Sequence, residues 1–133
     1  MIDSQKDYIM EPFFSWSMVA ATVVLTTYGQ LMLKWEVQRK AIPMFDWMAD
    51  WPALLQLLAR PGVISALIAA FCASLCWMLA LKKLPLNVAY PFMSTSFILV
   101  AIATVPLFGE TLNAPKIAGF VLIIFGLICI SQG

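Results

Sequence analysis

The 133-residue chain contains no histidine. The commonest metal ligand, and the one side chain that titrates near neutral pH unaided, is therefore missing. Charge is scarce too. Charged residues make up 11% and hydrophobic residues 62%, against roughly a quarter and a half in a soluble domain. An ordinary soluble globule is excluded. Eight Lys and Arg against seven Asp and Glu leave +1, too little for a polybasic nucleic-acid binder, so no nucleic-acid partner is expected. Only three cysteines occur, Cys72, Cys76 and Cys129, each inside an apolar run. They lack zinc-type spacing and read as free thiols rather than a disulfide framework. No metal and no cofactor is expected. No nucleophile–base pair is visible either, so the chain is not read as an enzyme.

What the sequence does have is long uncharged runs. Charge is expensive in hydrocarbon, so the gaps between charged residues map the membrane. Four gaps occur, 12–33, 61–81, 84–109 and 117–133. A helix needs roughly 20 apolar residues to cross the hydrocarbon core. The last gap is short, but Lys116 can snorkel at its start. The expected fold is an all-α membrane protein, one transmembrane domain over 1–133. Its four spans fall at about 13–34, 62–82, 86–108 and 114–131. The head carries Asp3, Asp7 and Glu11 against Lys6, which argues against a cleaved signal peptide.

The long first loop holds Asp46, Trp47, Asp50, Trp51 and Pro52, then Leu54, Leu55, Leu57 and Leu58. Asp50 with Pro52 reads as a helix start and Pro61-Gly62 as a stop. The leucine spacing predicts a short interfacial helix within 46–60, the bland alternative being an irregular loop held by two tryptophans. The other connections are short and force antiparallel neighbours. Four helices bury little surface around a polar path, so the expected transport unit is a dimer. Lys and Arg number three on one side of the membrane and five on the other. That bias is small. The Lys82-Lys83 pair, in a very short loop, places that loop and both termini inside, with dual insertion left open.

No span carries a charged residue in its middle. A proton-driven pump needs a titrating group there, so no obligatory proton coupling is expected. Uncharged polar groups do cluster. Thr26, Gln30 and Lys34 are four apart and stack on one helix face. A membrane threonine commonly bonds its own helix, and Lys34 at a span end can simply snorkel. Gln30 is harder to dismiss, because a lipid-facing amide leaves its polar groups unsatisfied. The third span opens with Asn87, Tyr90 and Pro91, then Ser94. Pro91 cannot donate to the Asn87 carbonyl, nor Pro106 to that of Ile102. The functional reading is a kinked, polar-faced helix lining a path; the bland one is a structural kink. Small residues four apart in the second span, such as Ala66, Ala70 and Ser74, suit helix packing. Gly119 and Gly126, two turns apart on the fourth span, suggest a dimer seam, with packing inside the chain as the alternative. Glu110 can cap, pair with a cation or gate.

Gly29-Gln30-Leu31 with Lys34 fits a Gly-Gln-Leu-x-x-Lys pattern. Leu84-Pro85, Ala89-Tyr90-Pro91, Ser94 and then Glu110 follow an equally familiar order. Over roughly 14–36 and 63–131 the chain resembles the short drug/metabolite transporters, EamA-like and small multidrug resistance-like. Within that superfamily it resembles the small subunits of the aminoarabinose-phosphoundecaprenol flippase. The resemblance implies a multi-pass protein of the bacterial inner membrane acting in lipopolysaccharide modification. It would be a homodimer, or a heterodimer with a similar subunit, surrounded by membrane lipids and moving a lipid-linked sugar phosphate. The matching positions are Gln30, Lys34, Tyr90, Pro91, Ser94 and Glu110.

The expected function is a flippase, or a flippase subunit, for a polyprenyl-phosphate sugar. Gln30, Tyr90, Ser94 and the Asn87 carbonyl would replace water around the sugar. Lys34, with Lys82 or Lys83, would hold the phosphate, since an unpaired charge in hydrocarbon is very costly. Direction would follow consumption of the lipid on the far side. One alternative is a four-helix multidrug or metabolite exporter. Such exporters use a glutamate in the first span, and no residue from Pro12 to Leu33 is acidic. A second is a non-transporting assembly subunit, which would tolerate loss of Gln30 and Lys34.

Overall fold

The computed structural model describes residues 2–39 and 51–132. In order these form α1 (Ile2–Arg39), α2 (Trp51–Leu58), α3 (Pro61–Leu81), α4 (Leu86–Phe92), α5 (Thr95–Phe108) and α6 (Ala114–Gln132). Four stretches are long and apolar enough to cross a bilayer: Phe13–Arg39, Pro61–Leu81, Leu86–Phe108 and Ala114–Gln132. The architecture is the all-helical, four-span plan that the charge gaps anticipate, with α2 as the short helix of the first loop.

Helix α1 runs past Lys34 to Arg39, because nothing in Lys34–Arg39 breaks a helix. Asp46, Trp47 and Asp50 lie outside the described residues. Helix α2 places Trp51, Leu55 and Leu58 on one exposed face. It stops before Pro61, where Ala59 N–H meets the Leu55 carbonyl at 2.9 Å and Arg60 N–H that of Leu57 at 3.2 Å. Pro61 is therefore not the stop of α2 but the first residue of α3. There its missing N–H is no loss, since that donor has no partner in a helix's first turn.

The core is the antiparallel pair of α1 and α3. Val19 and Val23 of α1 are buried against Val63, Ala66, Ala69 and Ala73 of α3. Small side chains let the backbones come close, and dispersion is what holds helices together where lipid is as apolar as leucine. A Cβ at Gly29 would lie 3.3 Å from the Ala66 carbonyl oxygen. Lower down, the Thr22 hydroxyl lies 2.8 Å from the Met18 carbonyl and 3.3 Å from that of Ala73 across the seam. Thr27 donates to Val23 at 2.8 Å. Thr27 thus keeps to its own helix, as membrane threonines commonly do, while Thr22 also reaches across to α3.

The third span is bent. After Pro91 the chain tightens to three-residue hydrogen bonds, Met93 N–H to the Tyr90 carbonyl and Ser94 N–H to that of Pro91, each 3.0 Å. Helix α4 ends there and α5 begins. Pro106, by contrast, lies inside α5 without ending it. Gly109 closes α5 with a φ of 66°, a left-handed conformation that a residue with a Cβ resists. Two edge-on aromatic pairs tie this span to α1. Trp16 meets Phe92 at 4.8 Å and Trp35 meets Phe108 at 6.1 Å between centroids. The pairing shows that α1 and the third span run parallel. Helix α6 leans on α4 and α5 and buries none of its residues.

Candidate functional site

Between those aromatic pairs lies a cavity of about 570 Å³, walled by α1, α3 and the bent third span. That is ample for a small polar headgroup. Leu25, Leu33, Leu67, Met93 and Phe97 supply its apolar surface. Its polar surface is a stripe on α1, Thr22, Thr26 and Gln30, facing Tyr90, Ser94 and Ser96. The four-residue spacing puts the stripe on one face. Ser74 and Trp77 complete the wall from α3.

These polar groups are not equally available. Ser74 donates to the Phe71 carbonyl and Ser96 to that of Met93, each at 2.7 Å. Gln30 is exposed and bonds no other described residue. Its amide donates and accepts, so it is the strongest unused hydrogen-bonding group in the cavity. No lining residue is charged.

Charge gathers at the two ends instead. Lys34, one turn beyond Gln30, forms an ion pair with Glu110 and sits 4.7 Å from the Phe108 ring centroid. Both side chains keep access to the exterior, 31% and 42% exposed. The sequence left Glu110 with three roles, and in the structure it partners a cation. Lys82 and Lys83 lie on the turn between α3 and α4, both exposed. Because α3 runs antiparallel to α1, they stand at the end opposite Lys34. They do not line the cavity, and neither does Asn87, exposed on the first turn of α4. Pro91 is not a lining residue but immediately precedes the bend that turns Ser94 and Phe97 toward α1. Gln30, Tyr90 and Ser94 are therefore brought together, while Lys34, Lys82 and Lys83 flank them.

Two features escaped the sequence reading. Trp77 meets Tyr90 with ring centroids 6.3 Å apart and planes at 66°. At the Lys34 end, Arg60 donates to the Glu36 carboxylate at 3.3 Å and to its backbone carbonyl at 3.2 Å. The Glu36 side chain lies so close to Gly62 that a Cβ there would fall 2.3 Å from Oε1. The spacing of Arg60 and Gly62 ahead of a span gave no signal of this. A glutamate two residues past Lys34, at the end of a long uncharged run, was the available hint.

On α6, a Cβ at Gly119 or Gly126 would meet nothing within 4 Å. Among the described residues, nothing in the chain fills these two notches.

The family model described as the EamA-like transporter family matches residues 6–132. A probable 4-amino-4-deoxy-L-arabinose-phosphoundecaprenol flippase subunit ArnF from Photorhabdus laumondii is 35% identical over 125 residues, covering 90% of this chain and 96% of that protein. Its namesake from Pseudomonas fluorescens is 39% identical over 114 residues, 84% and 82% of the two chains. The one from Aeromonas hydrophila is 38% identical over 118 residues, 84% and 76%. No solved structure matches the chain.

Proposed function

The chain belongs to the EamA-like transporter family, and on that ground we propose that it is a flippase subunit carrying a polyprenyl-phosphate-linked amino sugar across the bacterial inner membrane. The observation that carries this reading is the polar stripe of Thr22, Thr26 and Gln30 facing Tyr90 and Ser94 in an otherwise apolar, uncharged cavity. A sugar needs neutral donors and acceptors along its path, and amides and hydroxyls supply them without a buried charge to desolvate. The polyprenyl tail stays in lipid. The relatives are named for an aminoarabinose carried on phosphoundecaprenol, a substrate of this build.

The phosphate is the costly part, since an isolated anion in hydrocarbon costs tens of kcal/mol by the Born estimate. Lys82 and Lys83 stand at one end and Lys34 at the other, so each end offers an ammonium. Lys34 must exchange Glu110 for the phosphate, and both groups are exposed enough to do so. An uncharged cavity supports movement without obligatory proton coupling. It also disfavours a proton-coupled drug exporter, which needs a group near the midplane that titrates between the two access states. The open notches of Gly119 and Gly126 support a second, similar subunit seated on α6.

The test is lipid co-purification with mass spectrometry, followed by reconstitution with any subunit that co-purifies. A bound isoprenoid phosphate and flipping of its labelled analogue are expected. Gln30→Ala lowers flipping about fivefold to tenfold, the worth of one good hydrogen bond. Absence of both the lipid and the flipping overturns the proposal. Full activity of Gln30→Ala and Lys34→Ala in cells that need the protein assigns it an assembly role instead.

A further inference from the structure

We propose that the corner formed by Trp77 and Tyr90 receives the protonated amine of the sugar and so selects aminated over neutral headgroups. This rests on the flippase reading above and assigns a part of its cavity that the reading left without a task.

An amino sugar brings a cation into the cavity, and no carboxylate lines that cavity to meet it. The hydroxyls and the Gln30 amide are neutral acceptors. They serve a sugar hydroxyl as well as an amine, so they do not tell the two apart. Aromatic faces do, because the ring quadrupole attracts positive charge and ignores a neutral hydroxyl. Trp gives the strongest such face. Trp77 and Tyr90 both line the cavity, with planes at 66° and centroids 6.3 Å apart. The rings meet edge to face and both border the cavity, so an ammonium entering beside them can lie against an aromatic face. Trp77 is half-buried and held by α3, whereas Tyr90 is 65% exposed and presents its ring to an incoming group.

Position along the bundle sets the orientation. Trp77 lies five residues before Lys82, about 7.5 Å along the axis at the helical rise. An aminated sugar phosphate is a zwitterion. Lys82 and Lys83 attract its phosphate and repel its amine, so the phosphate stays at the rim and the amine points inward. One sugar ring then spans the gap to the aromatic corner. At the far end the Trp35–Phe108 pair does not line the cavity, and Phe108 already carries the Lys34 ammonium at 4.7 Å. There the polar stripe ends at Gln30, short of the Lys34–Glu110 pair.

The experiment uses the full chain in nanodiscs and three probes of equal prenyl length. These are the 4-amino sugar phosphate, its 4-hydroxy isostere and the bare polyprenyl phosphate. Wild-type protein is expected to bind the amine over the hydroxyl about threefold to thirtyfold more tightly, the range of a partly desolvated cation–π contact. Trp77→Leu loses that preference and keeps its affinity for bare polyprenyl phosphate, which shows that the variant is folded. Trp77→Phe keeps part of the preference. Preference that persists in Trp77→Leu overturns the inference, as does wild-type binding of all three probes without discrimination. Wild-type binding of none of them fells the flippase reading itself.

Discussion

Alanine at Gly62 is a sharp probe of the packing at the Lys34 end. In most helices the change stabilises, by up to about 1 kcal/mol in an interior position and by less in a first turn. Here the new methyl lands 2.3 Å from Glu36 Oε1, 2.6 Å from Cγ and 2.7 Å from Cδ. The whole side chain must rotate away, not its tip alone. Glu36 is 8% exposed, and leaving costs its contact with Arg60. A charge-assisted bond is worth about 1.5–3 kcal/mol. The Arg60 side chain is 24% exposed, which discounts that to about 1–2 kcal/mol. Loss outweighs gain, and Gly62→Ala destabilises by about 1 kcal/mol net. Glu36→Ala alone forfeits the ion pair at a similar cost. Once the carboxylate is gone the methyl meets empty space, so the double variant is no worse than Glu36→Ala. The coupling is then about 1–2 kcal/mol. Reversible unfolding in mixed micelles measures all three. Strictly additive losses, or a more stable Gly62→Ala, refute the reasoning.

Other outcomes follow from the same geometry. Glu110→Gln releases Lys34 and tightens binding of a prenyl phosphate severalfold, whereas Lys34→Gln weakens it; titration in nanodiscs reads both. Gly119→Leu with Gly126→Leu leaves unfolding of the chain within about 0.5 kcal/mol, because among the described residues nothing lies within 4 Å of a Cβ at either position. The same pair abolishes association in a crosslinking or single-molecule photobleaching assay. Pro91→Ala restores a donor to the bend and straightens the third span. Spin-label distances between α1 and the Ser94 region should then shift, and flipping should fall.

Much of the fold could be read from where charges are not. Lys34, Arg60, Lys82, Lys83, Glu110 and Lys116 bracket the spans because lipid tolerates no alternative placement. Pro91 announced a bend in the third span, but not that the helix would close at Met93 and restart at Thr95. That depends on which carbonyls find donors in three dimensions. Thr26 and Gln30 were legible as a face by spacing alone. The partner of Lys34 was not, since Glu110 is 76 residues away and pairing needs the parallel run of α1 and the third span. Pro61-Gly62 was read as an ending and is a beginning, because proline is as compatible with a first helical turn as with a stop. Trp77 was invisible for a simpler reason: one tryptophan in an apolar run looks like lipid-facing bulk until Tyr90 is found beside it.

No wall of the cavity comes from α6, although that helix carries the open seam. On the proposed reading, choice of companion and choice of cargo fall to separate parts of one short chain. Exchanging the last helix between two relatives would re-address a subunit while leaving its chemistry intact. On that reading a lineage could duplicate such a gene and drift in assembly without first losing its cargo.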